Sequence, residues 1–321
     1  MPKVSIVIPN YNGLKYIQTC MNALRRQTMK DVEILFVDNG STDGSSDYVK
    51  AHYPEATLIQ LADNTGFCGA VNVGIINAKA PYVLLLNNDT EATETFVEEL
   101  YRAIEQDKRI FSCSSRMVRF HDRTRMDDAG DLYCALGWAY ARGKGKPLAD
   151  YEEEQDVFFS CAGAAIYRKS ILNEIGYFDE NHFAYLEDAD IGYRARIHGY
   201  VNRYAPKAVV YHVGSGSSGS VYNLFKTKYS SRNSVYLIYK NMPLLQILLN
   251  LPFFIPGFLV KAVFFAIKGY GAEYVRGIAN GFALCKKGKA EGKKVPFAWK
   301  NLGNYGRIQL ELWVNTVKRL L

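Results

Sequence analysis

The chain has 321 residues, 48% of them hydrophobic, and a formal net charge of +7. That length suits one large domain plus an appendage, and a composition without low-complexity tracts or internal repeats excludes disordered and solenoid classes. Charge is unevenly placed: residues 1–220 carry 23 Lys and Arg against 29 Asp and Glu, and residues 221–321 carry 16 against 3, so a basic tail is set to meet an anionic surface, either lipid headgroups or nucleic acid.

Along the chain, strand and helix alternate from the start. Val4–Ile8 is an apolar run ending at Pro9, and Leu14–Arg26 places Ile17, Cys20, Met21 and Leu24 on one helical face. Strands follow at Glu33–Val37, Thr57–Leu61 and Tyr82–Leu86, separated by helices at Asp47–His52 and Gly66–Ala78. Continuous apolar strands alternating with helices predict a mostly parallel sheet covered on both faces. Further on, Ile110–Phe120 and Phe158–Tyr167 read as strands, 137–156 as a mobile loop, Glu187–His198 as a helix and Ala208–His212 as a last strand. Gly214–Ser220 reads as a flexible flap. Leu244–Ile267 is long enough to span a bilayer, but Pro252, Pro256 and Lys261 argue for an interfacial or hairpin-like segment, with a buried core helix pair and a true span as the alternatives; Lys286, Lys287, Lys289, Lys293 and Lys294 follow it. The basic residues are not interleaved with stacking aromatics along a groove, so nucleic acid is not expected. The opening residues lack the layout of a signal peptide, and six cysteines without metal-ligand spacing read as reduced thiols; both favour the cytoplasm.

In a parallel sheet of this kind the ligand sits beyond the carboxyl ends of the strands. Those ends are Pro9-Asn10-Tyr11-Asn12, Asp38-Asn39-Gly40-Ser41 and Asn87-Asn88-Asp89. A core-only protein needs turn residues there, but not repeated carboxylates and amides. Asp89 suits a hard divalent cation shared with phosphates, although the same triplet reads as an Asx turn. Asp38 is either an acceptor for a base N–H or a helix-start residue. Glu187, Asp188 and Asp190 open a helix, where the dipole alone favours acids; equally, such a cluster suits a general base acting on an acceptor hydroxyl. His212 reads as a metal ligand or a structural histidine, and Arg232 as a diphosphate clamp or a surface arginine.

Six segments taken in order (4–13, 33–45, 64–75, 84–91, 178–200 and 210–217) resemble the family 2 glycosyltransferases, over about residues 3–240. The resemblance implies an α/β GT-A fold, Rossmann-like, with a mostly parallel central sheet flanked by helices. Residues 1–220 would form the catalytic domain, its nucleotide-binding half to about 110 and its acceptor half from 111. Residues 221–321 would be a helical, membrane-associating appendage. It further implies that Pro9, Asn10, Tyr11, Asn12 and Asp38 surround the nucleobase and ribose, that Asn64, Gly66 and Asn72 line the nucleotide pocket beside Asn88 and Arg232, and that Asp89 binds the metal with His212. Asp188 would be the base, with Glu187 beside it. Asn87 stands where many members carry Asp. The implied reaction is inverting and needs Mg²⁺ or Mn²⁺. Within the family the pattern is most similar to bacterial rhamnosyltransferases of polysaccharide assembly, which favours dTDP-rhamnose as donor, a UDP-hexose being the alternative, and a lipid-diphosphate-linked saccharide as acceptor. The expected place is the cytoplasmic side of an anionic membrane, bound peripherally, with a homo-oligomer left open. A non-catalytic scaffold that only binds nucleotide sugar or membrane would not need Asp89, Asp188 and His212 together.

Overall fold

Short apolar runs with buried side chains on both faces make the central strands, and amphipathic helices cover them. The structure is a computed structural model that describes residues 1–214 and 222–320. In chain order the elements are β1 (Val4–Asn10), α1 (Leu14–Arg25), β2 (Val32–Asp38), α2 (Ser45–His52), β3 (Thr57–Gln60), α3 (Gly66–Asn77), β4 (Tyr82–Leu86), β5 (Thr90–Ala92), α4 (Phe96–Glu105), β6 (Ile110–Arg119), β7 (Met126–Asp128), β8 (Asp131–Cys134), β9 (Trp138–Ala141), β10 (Gln155–Val157), β11 (Ala164–Arg168), α5 (Lys169–Ile175), α6 (Glu187–Ile197) and β12 (Val201–His212). Four helices follow: α7 (Leu224–Asn241), α8 (Leu244–Ile267), α9 (Gly271–Ala290) and α10 (Leu302–Leu320).

The main sheet runs β10-β12-β6-β11-β4-β1-β2-β3. β3, β2, β1 and β4 are mutually parallel, β11 runs antiparallel to both β4 and β6, and β12 returns parallel to β6. Register places Asn10 beside Asp38 at the carboxyl edge. One face of the sheet buries Ile17, Phe96 and Leu100 from the helices above it, and the other buries Val71, Ile171 and Ile191.

The C-terminal helices continue this core. Leu237, Met242, Phe254, Ile308 and Leu312 share one apolar cluster with Tyr133, Phe158 and Tyr193. The stretch 137–156, expected as a mobile loop, contains β9, a 3-10 turn and the start of β10. The strand expected at Phe158–Tyr167 begins only at Ala164. Of the Gly/Ser-rich run, all but Gly214 lies outside the described residues.

α8 departs from expectation in a specific way. Pro252 and Pro256 do not break it: the helix is continuous over 24 residues. Each proline removes one ladder hydrogen bond, to the carbonyls of Leu248 and Pro252, and both rings sit on the exposed side. By length and composition α8 could cross a membrane. However, Gln246, Asn250, Phe254 and Gly257 form a stripe against the rest of the chain, with Asn250 and Gln309 of α10 exchanging two amide hydrogen bonds of 2.8 Å. The opposite face exposes Leu244, Leu248, Leu251, Ile255, Leu259 and Ile267.

Candidate active site

An amide network organises the strand ends. Asn10 Nδ2 donates to Asp38 Oδ1 (2.8 Å) and Ser41 Oγ (3.1 Å), and its Oδ1 accepts from Asn88 Nδ2. Asp38 Oδ2 takes Ser46 Oγ at 2.8 Å. Gly13 keeps this possible: a Cβ there would lie 2.1 Å from Asn88 Nδ2. Next door, Asn39 Nδ2 donates to Asn64 Oδ1 and to the Gly66 carbonyl, both at 3.0 Å. Asn10 and Asp38 are thus buried and fully used, while Tyr11 and Asn12 stand exposed at the rim. Asn12 adopts φ 50°, a left-handed conformation that its side chain tolerates, and accepts from Thr42 N at 2.9 Å.

The second group gathers around His212 at the end of β12. Its Nε2 is 3.4 Å from Asp89 Oδ1, and its Nδ1 is 2.7 Å from Asp127 Oδ2. Lys144 Nζ lies 3.3 Å from the other Asp127 oxygen. Burial alone would lower the imidazole; the two carboxylates outweigh it and raise it to about 9. Burial likewise would raise Asp127, yet its bond to His212 and the Lys144 charge bring it down to about 2.

The third group lies on α6 and the loop that enters it. Asp188 Oδ1 accepts from Ala189 N at 2.8 Å. The Ala162 backbone N–H also bonds this carboxylate, yet burial prevails and raises it to about 6. Burial and the neighbouring Asp188 raise Glu187 well above the ordinary range, and its Oε2 has no hydrogen-bond partner. Ala162 adjoins Gly163, whose carbonyl takes the Asn87 N–H at 2.8 Å. The end of β4 with Asp89 and the start of α6 with Asp188 therefore meet across the 161–163 turn. Asp128, Asp131 and Cys161 complete the wall, with possible ligand atoms within 4.8 Å of one another. Burial raises both carboxyls; the Asp127 charge adds to it for Asp128, which reaches about 7, and the Asp128 charge adds to it for Asp131.

The strand-end edge thus carries amides at the ends of β1, β2 and β4, a carboxylate–histidine pair and, across the 161–163 turn, an acid of raised pKa. The sequence matches the profile described as "Glycosyl transferase family 2" over residues 5–176. The chain belongs to glycosyl transferase family 2. It is 26% identical over 237 residues to the N-acetylglucosaminyl-diphospho-decaprenol L-rhamnosyltransferase of Mycobacterium tuberculosis, covering 67% of this chain and 77% of that protein. Among solved structures, S. aureus TarS 1-349 superposes with a TM-score of 0.59 at 18% identity, over 88% of this chain and 81% of that one. GalNAc-T7, solved with UDP, GalNAc and Mn²⁺, gives 0.61 at 16% identity, over 75% of this chain. This chain spans about half of that one (48%). These likenesses show the GT-A fold. The chain is a glycosyltransferase, and an inverting mechanism is consistent with its family.

Within this family 2 enzyme the expected site residues fall into three kinds of place. Pro9, Asn10, Tyr11, Asn12, Asp38, Asn64, Gly66, Asn88 and Asp89 lie at or just beyond the carboxyl ends of the parallel strands. Asp188 and Glu187 join that edge through the 161–163 turn. Asn72 and Arg232 are engaged elsewhere. The Asn72 amide is spent on the backbone of Phe178, donating at 2.8 Å and accepting at 3.1 Å. Arg232 donates to the carbonyls of Asn181 (2.8 Å) and His182 (2.7 Å). Sequence reading missed Asp127, Asp128 and Asp131, and gave no role of their own to Asn39, in a strand-end cluster, or to Asn233, beside Arg232. The acid run at 127–131 was visible, but its partner His212 is 85 positions away.

Proposed function

We propose that this glycosyltransferase moves a sugar from a nucleotide diphosphate to a lipid-diphosphate-linked saccharide at the cytoplasmic face of a membrane, with Asp188 as base. The observation that carries this is the junction at 161–163: Ala162 bonds Asp188 while Gly163 bonds Asn87, two residues before Asp89. On this reading Pro9, Tyr11, Asn12 and Asn64 contact the nucleoside, while Asn10, Asp38, Gly66 and Asn88 shape the pocket and Asn72 serves it by fixing the Phe178 backbone. Glu187, its carboxyl kept neutral by burial, donates to a sugar or acceptor hydroxyl. Arg232 serves the pocket by fixing the 181–182 backbone.

The residues fit a divalent cation. Asp89 supplies an oxygen, and His212, its Nδ1 held by Asp127, would give up the Nε2 proton that faces Asp89 and offer that nitrogen to the ion. An imidazole in the set suits Mn²⁺ at least as well as Mg²⁺. When bound, such an ion offsets the charge growing on a diphosphate leaving group. Asp188 accepts the acceptor hydroxyl's proton, and the inverting geometry requires it to do so on the face of the sugar opposite that leaving group. Mn²⁺ titrated into the UDP complex is expected to bind His212→Ala about tenfold more weakly than the parent, as loss of a ligand requires; equal affinity would remove His212 from the metal site.

Because Asp188 works ionised and burial places it near 6, turnover is expected to rise with pH through about 6 and then level off. A rate unchanged between pH 5 and pH 8 would contradict the assignment. The mycobacterial relative, named for L-rhamnose transfer, supports rhamnose as the transferred sugar. A screen of dTDP-rhamnose, UDP-galactose and UDP-glucose with Mn²⁺ or Mg²⁺ and a lipid-linked acceptor tests it: one donor should release nucleotide only when acceptor is present.

The apolar face of α8 and the 16 Lys and Arg of residues 221–321 suit peripheral attachment to an anionic bilayer. The protein should sediment with phosphatidylglycerol vesicles at low salt. Paired Leu248→Glu and Ile255→Glu substitutions should release it severalfold while leaving the fold intact.

A further inference from the structure

The turn before Asp188 is strained. Phe183, Tyr185 and Leu186 have φ of 64°, 68° and 65°. None is glycine or asparagine, and such residues cost of order 1–3 kcal/mol each unless their surroundings fix them. Leu186 is the residue before α6, and its carbonyl takes the Asp190 N–H at 3.0 Å. The backbone angles of this turn therefore set where Glu187 and Asp188 point.

One side chain holds most of the turn. Asn233, on α7 and wholly buried, donates through Nδ2 to the carbonyls of His182 (2.9 Å), Ala184 (2.9 Å) and Tyr185 (2.7 Å). Two amide hydrogens serve three carbonyls, so one is shared. Its Oδ1 is fixed in turn by Arg232 Nε at 2.9 Å, which settles the amide's orientation. From the other side α3 presses on the turn: the Phe183 carbonyl would lie 2.5 Å from a Cβ on Gly66, and it accepts from Cys68 N at 3.3 Å.

We infer that Asn233 is a positioning residue for the transfer reaction: its amide gathers three carbonyls, holds the left-handed turn, and so aims Asp188 into the crevice. This rests on Asp188 being the base. Without the amide, the half-buried Ala184 and Tyr185 carbonyls lose this donor, while the His182 carbonyl keeps Arg232 and the Ala184 N–H, and the turn relaxes toward ordinary backbone angles. A displacement of about 1 Å in a reacting group costs about a hundredfold in rate.

The test compares Asn233→Ala and Asn233→Asp with Asn250→Ala, which removes another buried amide, one bonded to Gln246 and Gln309 rather than to the turn. Turnover is read with dTDP-rhamnose or the UDP-hexose that the screen selects, alongside hydrogen exchange of amides 183–190. Both Asn233 variants should lose about a hundredfold in kcat with donor KM within about threefold, and amides 183–190 should exchange faster. Asn250→Ala should lower the melting temperature comparably yet keep kcat. A folded Asn233→Ala with near-parental kcat would overturn the inference, as would an equal kcat loss in Asn250→Ala. If Asn233→Ala does not fold, Asn233→Ser is judged by the same criteria. Asp188→Asn run in parallel separates the two claims: an active D188N removes the base, whereas an inactive D188N beside an unimpaired Asn233→Ala removes only this positioning role.

Discussion

Asp188→Asn is expected to lower turnover by about a thousandfold while UDP or dTDP binds within about twofold of the parent. General-base catalysis contributes roughly 10²–10⁴ to a rate, and an amide of the same shape cannot take up a proton at neutral pH. The substitution is gentle structurally. The amide oxygen still accepts from Ala162 and Ala189, whose N–H groups hold the carboxylate in the parent. The amide network of Asn10, Asp38, Asn39 and Asn64, which is proposed to hold the nucleoside, is untouched. Steady-state kinetics and calorimetric titration of the nucleotide check the two halves separately. Loss of both would mean that position 188 supports the fold rather than the chemistry.

Lys240→Met should cost about 3–5 kcal/mol, the usual consequence of removing one partner from a buried charge network. Lys240 Nζ lies 2.7 Å from Asp179 Oδ2 and 2.9 Å from Asp190 Oδ2, and all three side chains are buried. Arg194 lies 3.0 Å from the same Asp190 oxygen, while Tyr236 and Asn241 donate to the pair at 2.9 and 2.8 Å. These partners hold both carboxyls below the ordinary range against the opposing effect of burial. A depressed folded pKa gives stability that is complete above the unfolded value of about 4 and is lost as pH falls below it. The parent should therefore lose stability on acidification below about pH 4. In Lys240→Met the two acids lose their main cation, so the deficit should be largest at neutral pH and shrink as they are protonated. Thermal melts at several pH values measure this, with a neutral-pH drop on the order of 10 °C. A constant difference between the two proteins at all pH values would contradict the account.

Much of the N-terminal half was legible because its signals are local. β1, β2 and β4 are short apolar runs stopped by polar residues, and a parallel sheet brings those stops to one edge whatever lies between them. The helix at Glu187 announced itself through its acidic first turn. What was not legible depends on distant pairs. Asp127 gains its meaning from His212, and Asn233 from carbonyls some fifty positions earlier. Asn72 looked like a pocket residue by sequence order, but α3 turns its amide toward Phe178. Pro252 and Pro256 looked like breaks in α8, yet both fall on its outward side, where two lost ladder bonds do not disturb packing. The helical character of the C-terminal region was legible, but not its bonds: Tyr236, Lys240 and Asn241 of α7 reach Asp179 and Asp190 on either side of the strained turn.

The most direct measurement is a crystal structure of the D188N protein with Mn²⁺ and the donor selected by the screen, the cation located by its anomalous signal. The account predicts a peak between Asp89 and His212, with the sugar lying between that ion and position 188. A peak instead at Asp128, Asp131 and Cys161, or a sugar in a cavity that position 188 does not line, would contradict it.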